Sequence, residues 1–266
     1  MDAPLKRGLT AQQLSVHVGT RALVRELSVE FAPGEVVAIL GCNGSGKTLT
    51  LHTLAGLRPP QAGAVHLDGT PFNRLTRRAV ALRLGLLAQD IEDAFVTTAL
   101  EMVLIGRHPH LGLWQWETSE DVRISRESLA AVGLSEFAQV AAGEMSYGRK
   151  RALEIATTLA LDPQMLLLDE PMAGMGHDDI ARISALIRSL TDKRTVLMVE
   201  HNLSVVANLC DRITVLTRGN VLAEGDYKTV SEDPAVREAY LGTGHLGTSH
   251  LGTSHLGTSH LGKSHG

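Results

Sequence analysis

The chain is poor in the features that mark several protein classes. It has two cysteines, Cys42 and Cys210, in 266 residues. That is too few for a disulfide framework, and their spacing fits no zinc site. Positive charge is not in excess. The formal net charge of −4 gives no global basic field for nucleic acid. No apolar run approaches the length of a membrane span, and MDAPLKRGLTAQQ at the start lacks the apolar centre of a signal peptide. The expectation is a protein made and kept in the cytosol, free to dock on a membrane protein. Sustained heptads are also missing between Gln89 and Ser146, which removes a long coiled coil. What remains is an apolar fraction of 44% against 20% charged, ordinary for a soluble globular chain long enough to bury a full core, with or without a subdomain.

Apolar runs and breakers set the organisation. LTAQQLSVHV, ALVRELSVEF and EVVAIL read as strands, with a turn at Pro33-Gly34 before the last. AVHLDG and LGLLAQ, the latter ending at Gln89, are further strand candidates. QMLLLD and TVLMVEH are continuous apolar runs of strand length, the pattern of parallel strands covered on both faces. TALEMVLIGR, SEDVRISRESLAAVGL, RKRALEIATTLAL and DIARISALIRSL carry helical spacing. RITVLTRGNVLAEGD reads as a hairpin turning at Arg218-Gly219-Asn220. Alternating strands and helices predict an α/β fold with a mainly parallel sheet and an inserted helical lobe over 90–144. The end of the chain repeats a five-residue unit over 241–265, with histidines at His245, His250, His255, His260 and His265. A spacing of five turns successive side chains by about 140° on a helix, so no face collects them. With the glycines, this predicts a solvated extension rather than a metal site.

The run GCNGSGKT, Gly41 to Thr48, carries the chemistry. It lies between the apolar run Val36–Leu40 and the apolar-rich stretch Leu49–Leu57, the strand, loop and helix order of a phosphate-binding loop. Gly41, Gly44 and Gly46 let the backbone amides of the loop, Cys42, Asn43 and Ser45 included, turn inward, and the helix start adds unpaired N–H donors. Lys47 can reach the β- and γ-phosphates of ATP, and the Thr48 hydroxyl can bind Mg²⁺. Four further segments complete a nucleotide hydrolase. An apolar strand ending in Asp169-Glu170 puts Asp169 beside the magnesium shell and Glu170 where an attacking water would lie. His201, in Val199-Glu200-His201-Asn202, ends another apolar run and can contact a γ-phosphate. Ser146 and Gly148, in Met145-Ser146-Tyr147-Gly148-Arg149, sit just before a helix and can offer donors to phosphate. Gln89 stands at the entrance to the helical lobe, placed to sense metal and lobe position. Each segment alone has a blander reading, as an acidic turn, a structural histidine or an ordinary helix start.

In this order and spacing, GCNGSGKT, Gln89, MSYGR, LLLDEP and VEHN resemble the nucleotide-binding domains of ABC transporters. The resemblance runs from about residue 10 to 240. It implies a P-loop NTPase with a RecA-like core, an antiparallel β subdomain and a helical subdomain over about 90–160, together spanning 8–240, with 241–266 as tail. It implies ATP and Mg²⁺ as cofactors, the metal held by Thr48, Gln89 and Asp169. Glu170 would be the general base, His201 the switch histidine and Gln89 the Q-loop residue. A second ATP-binding subunit, the same or different, would close head to tail so that Ser146 and Gly148 complete its ATP site. Permease subunits would dock on the helical subdomain at the cytoplasmic face of the membrane, served indirectly by a substrate-binding protein and with no role for nucleic acid.

Four positions depart from the family pattern. Val18 stands where an adenine-stacking aromatic is usual, leaving stacking weakened or passed to His17. Tyr147 and Arg149 alter the signature, and Gly176 stands near the place of a usual aspartate. MSYGRKRALEIATTLALDPQMLLLDEPMAGM, VEHNLSVV and VREAYLG resemble ATPases of branched-chain amino-acid importers. Leu86 to Val132 is more similar to those serving iron-siderophore, haem or cobalamin importers. Amino-acid import is the leading expectation and metal-chelate import the alternative. A soluble, non-transport ABC ATPase is disfavoured by the single phosphate loop and the acidic charge, and a non-hydrolysing regulatory subunit by Glu170 and His201.

Overall fold

The computed structural model describes residues 8–89, 97–112, 114–201 and 203–241. The five-residue repeat from Gly242 onward and the segment 90–96 lie outside them. The strands are β1 (Leu9–Val18), β2 (Arg21–Phe31), β3 (Val36–Gly41), β4 (Ala62–Leu67), β5 (Thr70–Pro71), β6 (Leu84–Leu87), β7 (Met165–Asp169), β8 (Thr195–Val199), β9 (Arg212–Thr217) and β10 (Asn220–Gly225). The helices are α1 (Lys47–Leu54), α2 (Arg77–Ala81), α3 (Ala99–Ile105), α4 (Ser119–Ala131), α5 (Tyr147–Ala160), α6 (His177–Leu190), α7 (Leu203–Leu209), α8 (Tyr227–Glu232) and α9 (Pro234–Leu241).

Two sheets form. An antiparallel sheet has the order β2-β1-β4-β5, and a six-stranded sheet has the order β10-β9-β3-β8-β7-β6. In the latter every neighbouring pair is parallel except β9 with β10. The apolar runs form its centre because those strands are buried on both faces. In β3, Val36, Ala38 and Leu40 join one core while Val37 and Ile39 join the other. The first core takes in α3 to α7, through residues such as Val103, Leu129, Leu153, Ile183 and Val206. The second takes in α1 through Leu51 and Leu54, and the inner faces of β1, β2 and β4. The phosphate loop at the end of β3 is thereby held between a helical side and an antiparallel sheet.

Most expected elements are present, with shifted ends. The β9–β10 hairpin turns on Arg218 (φ 47°) and Gly219 (φ 90°), the two left-handed residues a tight two-residue turn demands. The strand expected to end at Gln89 stops at Leu87, where its pairing with Leu168 of β7 ends. The helix expected after Gly148 starts at Tyr147, with Ser146 at its N-cap.

A polar joint ties α4 and α5 to the segment after α3. Thr118 caps α4 in a reciprocal box with Asp121, and Asp121 Oδ1 also accepts from Arg107 Nε at 2.9 Å. Arg107 Nη1 in turn donates to the Ala160 carbonyl at the end of α5 at 2.8 Å. Both side chains are buried. The Thr118 hydroxyl and amide, with the Arg107 guanidinium, hold the Asp121 carboxyl down at about 2. A depressed carboxylate stabilises the fold at pH above its unfolded value, and that contribution fades as pH falls through the folded one. Asp121→Ala strands a buried guanidinium, so we expect a loss of about 3–5 kcal/mol in urea unfolding at neutral pH. The mutant and wild-type stabilities should converge as pH approaches 2. A loss well under 1 kcal/mol at pH 7 would show the joint to be solvent-screened.

Candidate functional site

The loop from Gly41 to Thr48 has the backbone its sequence requires. Gly46 is the N-cap of α1 with φ 94°, and a Cβ there would lie 2.8 Å from the Leu23 Cβ of β2. At Gly41 a Cβ would sit 2.6 Å from both the Leu216 carbonyl oxygen and Ser45 Oγ. Only glycine fits at either place. Asn43 and Gly44 are exposed at the tip, while Cys42, Ser45 and Thr48 are half-buried. Lys47 is buried at the start of α1, and its ammonium donates to the carbonyls of Gly41 (2.7 Å) and Cys42 (3.2 Å). Desolvation pushes it below the usual lysine range, against the opposing pull of the Glu170 and Asp169 carboxylates. The loop thus folds back over a cation, with its glycine backbone open to solvent at the tip, a cradle suited to a polyphosphate.

Asp169 closes the floor. It is fully buried at the end of β7, and neither carboxylate oxygen meets a donor at good hydrogen-bond geometry. Burial raises its carboxyl above the ordinary aspartate value; the nearby Thr48 hydroxyl pulls it back, and Glu170 pushes it up further. A buried carboxylate with two unused oxygens beside a hydroxyl is the donor set a hard divalent cation takes, so the residues fit Mg²⁺.

Glu170 follows, in the left-handed region (φ 48°). Its Oε2 is met from two sides, by Gln89 Nε2 at 3.4 Å and by His201 Nδ1 at 3.7 Å. The sheet order explains the convergence. β7 lies between β6 and β8, all parallel, so the residues just past their C-terminal ends meet over one point. In open α/β sheets ligands bind at that end of the strands. Gln89 and His201 are exposed, whereas Glu170 is largely covered.

Ser146 and Gly148 are placed differently. They begin α5, and among the described residues no hydrogen bond joins them to the loop over 41–48. Ser146 is exposed, and its hydroxyl makes no cap bond; Gly148 is half-buried, with Asp179 Oδ2 3.2 Å from where its Cβ would be. Tyr147 is bent over Gly174 (φ 69°), where a Cβ would lie 2.3 Å from the Tyr147 ring. Arg149 stacks on Phe137 at 4.2 Å. Val18 is exposed, and a Cβ at Gly176 would meet nothing within 4 Å.

Three contacts of this site carry no motif in the sequence. Arg151 is fully buried and donates to Ala88, Asp169 and Glu170 carbonyls. The buried Glu200 carboxylate accepts from the amides of Met172 and His201, tying the segment after Glu170 to the histidine. Cys42 Sγ lies 3.8 Å from the Ala239 carbonyl of α9, so the last helix touches the phosphate loop.

Comparison with known proteins gives the same picture over nearly the whole chain. The family model described as "ABC transporter" matches residues 24–173, and one described as "Branched-chain amino acid ATP-binding cassette transporter" matches 220–246. The chain is 33% identical over 251 residues to the high-affinity branched-chain amino acid transport ATP-binding protein BraF of Pseudomonas aeruginosa, covering 88% of this chain and 97% of that one. It is 29% identical to the petrobactin import ATP-binding protein FpuD of Bacillus anthracis, covering 89% and 87%. Among solved structures, a nucleotide-free ATP-binding cassette from an ABC transporter superposes with a TM-score of 0.79 at 26% identity, over 88% of this chain and 98% of that one.

Proposed function

From the premise that the chain belongs to the ABC transporter family, we propose that it drives an importer of branched-chain or related amino acids. It is an ATP-binding cassette whose ATPase activity powers transport, a class that works as dimers with permease components. The cargo reading is supported by BraF and by the match at 220–246. A second reading, import of a metal chelate, is favoured by FpuD and by the character of Leu86 to Val132. Among the described residues no helix is long and apolar enough to cross a membrane. The chain would therefore sit peripherally on permease subunits at the cytoplasmic face, with a substrate-binding protein acting at a distance.

The geometry supports the following roles. The amides over 41–48 and Lys47 would grip the phosphates, the ammonium exchanging the carbonyls of Gly41 and Cys42 for phosphate oxygens. Thr48 and Asp169, with Gln89 at the rim, would hold Mg²⁺, which supplies charge neutralisation at the β- and γ-phosphates. Glu170 would take the proton from the attacking water, and Gln89 and His201 would fix the carboxylate and the water. The exposed Ser146 and the α5 amides would complete the ATP site of a second subunit, identical or not, so that chemistry waits for closure.

The convergence of Gln89 and His201 on Glu170 Oε2, next to Lys47 and Asp169, carries this reading. The test is twofold. The purified chain should hydrolyse Mg-ATP, and vesicles holding it with its captured permease should take up labelled leucine on ATP addition. Uptake of a ferric siderophore instead would select the second reading. Absence of any Mg-ATP turnover by the complex would remove the assignment of catalytic roles.

A further inference from the structure

We propose that Arg151 is a positioning residue for the hydrolytic carboxylate, an inference that rests on the reading of Glu170 as the base. Arg151 lies in the first turns of α5 with its side chain wholly buried. Its guanidinium reaches three chain segments at once. Nη1 donates to the Ala88 carbonyl at 2.6 Å and to Glu154 Oε2 at 2.7 Å. Nη2 donates to the carbonyls of Asp169 at 2.5 Å and Glu170 at 3.1 Å.

The geometry at Nη2 is the informative part. Along a regular strand successive residues face opposite ways, so two consecutive carbonyls do not meet one donor. Here they do, because Glu170 takes the left-handed conformation (φ 48°) that a non-glycine residue rarely adopts. Its amide is held by the Val199 carbonyl at 2.9 Å, and its own carbonyl by Arg151 and, at 3.1 Å, by the Ala173 amide. The backbone of the base is thus fixed from both sides, and the side chain is left to point at Gln89 and His201. Ala88 immediately precedes Gln89, so the same guanidinium also sets the entry of the Gln89 side chain. Both ends of the 3.4 Å contact between Gln89 Nε2 and Glu170 Oε2 therefore depend on one planar fork. A lysine has one compact ammonium and cannot reproduce its spread. The cation also belongs to the helix whose first residues would face a second subunit on the proposed reading, so a shift of α5 would be felt directly at the base.

A role confined to holding the fold and a role in aiming Glu170 differ in what they do to turnover. Arg151→Met should lower kcat by about ten- to a hundred-fold, the scale of an ångström of misplacement. The Kd for Mg-ATP should stay within about three-fold, because among the described residues no hydrogen bond from Arg151 reaches the loop over 41–48, and Arg151 meets Asp169 only at its backbone carbonyl, in a strand that pairing with β8 also holds. In a Glu170→Gln background the same change should add less than about two-fold in single-turnover hydrolysis, since there is no base left to aim. Arg151→Lys covers the case in which the methionine variant loses its cooperative melting transition. It should show a smaller kcat loss with the same unchanged Kd. Wild-type kcat in either folded variant overturns the proposal, as does a loss of equal size in the Glu170→Gln background. Glu170→Gln hydrolysing at the wild-type rate would instead overturn the reading of the base itself, which that single variant reports separately.

Discussion

Lys47→Ala should abolish ATP turnover by the intact complex, with a fall of about a hundred- to a thousand-fold or more, the range seen when a preorganised donor to developing negative charge is removed. The argument is that a protein supplies little covalent chemistry to phosphoryl transfer. It supplies position and charge. Lys47 is the one ammonium placed inside the loop, on the carbonyls of Gly41 and Cys42. Without it the triphosphate keeps the amides but loses the cation that offsets its charge. The fold should survive. Burial holds the Lys47 amine below its usual range, and a lysine with a lowered folded pKa opposes folding at pH below that value. Alanine removes that cost along with two hydrogen bonds, so the melting temperature without nucleotide should move little. Nucleotide-linked stabilisation should shrink, because ligand binding to the native state raises stability only as far as affinity allows. Calorimetry with Mg-ATP and a phosphate-release assay check both halves. A variant that turns over ATP within about ten-fold of wild type would remove Lys47 from the site.

How much of this was legible in the residues depends on whether the chemistry is contiguous. The loop from Gly41 to Thr48 is one segment, and its glycines, lysine and threonine announce a phosphate cradle before any folding is considered. Asp169, Glu170 and His201 were readable as polar ends of apolar runs, because buried parallel strands have no other place for charge. Their convergence was not readable. It comes from β7 lying between β6 and β8, and strand order is set by crossovers that leave no local mark. Gln89 sits two residues past its strand because pairing with β7 ends at Leu87, again a property of the partner. Arg151 is the clearest case. In sequence it is one cation in Arg149-Lys150-Arg151, and helical spacing alone would put such a run on a solvated face. Only the packed sheet shows three carbonyls, of Ala88, Asp169 and Glu170, gathered around its place. Glu200 and the contact between Cys42 and α9 are hidden for the same reason: each joins segments tens to hundreds of residues apart.

Glu170→Gln separates binding from chemistry. The amide keeps the size and shape of the carboxylate, keeps an acceptor for Gln89 Nε2, and leaves the left-handed backbone and its bonds to Val199 and Arg151 in place. It removes the one property the proposed mechanism needs, a lone pair basic enough to take a proton from water. A positioned general base contributes about a hundred- to ten-thousand-fold, so turnover should fall by that order while the Kd for Mg-ATP stays within about three-fold. If Ser146 and the start of α5 complete the site of a second subunit, the bound and uncleaved nucleotide should hold two cassettes together. Light scattering after gel filtration with saturating Mg-ATP should then report a dimer for the variant, and a return to the lower mass when nucleotide is withdrawn. The exposed, uncapped Ser146 hydroxyl gives the companion control. Ser146→Arg in the same background puts bulk and positive charge at that face and should prevent the dimer without altering the amides of the loop over 41–48. A Glu170→Gln chain that binds Mg-ATP yet stays monomeric would leave the base in place and sink the two-subunit site.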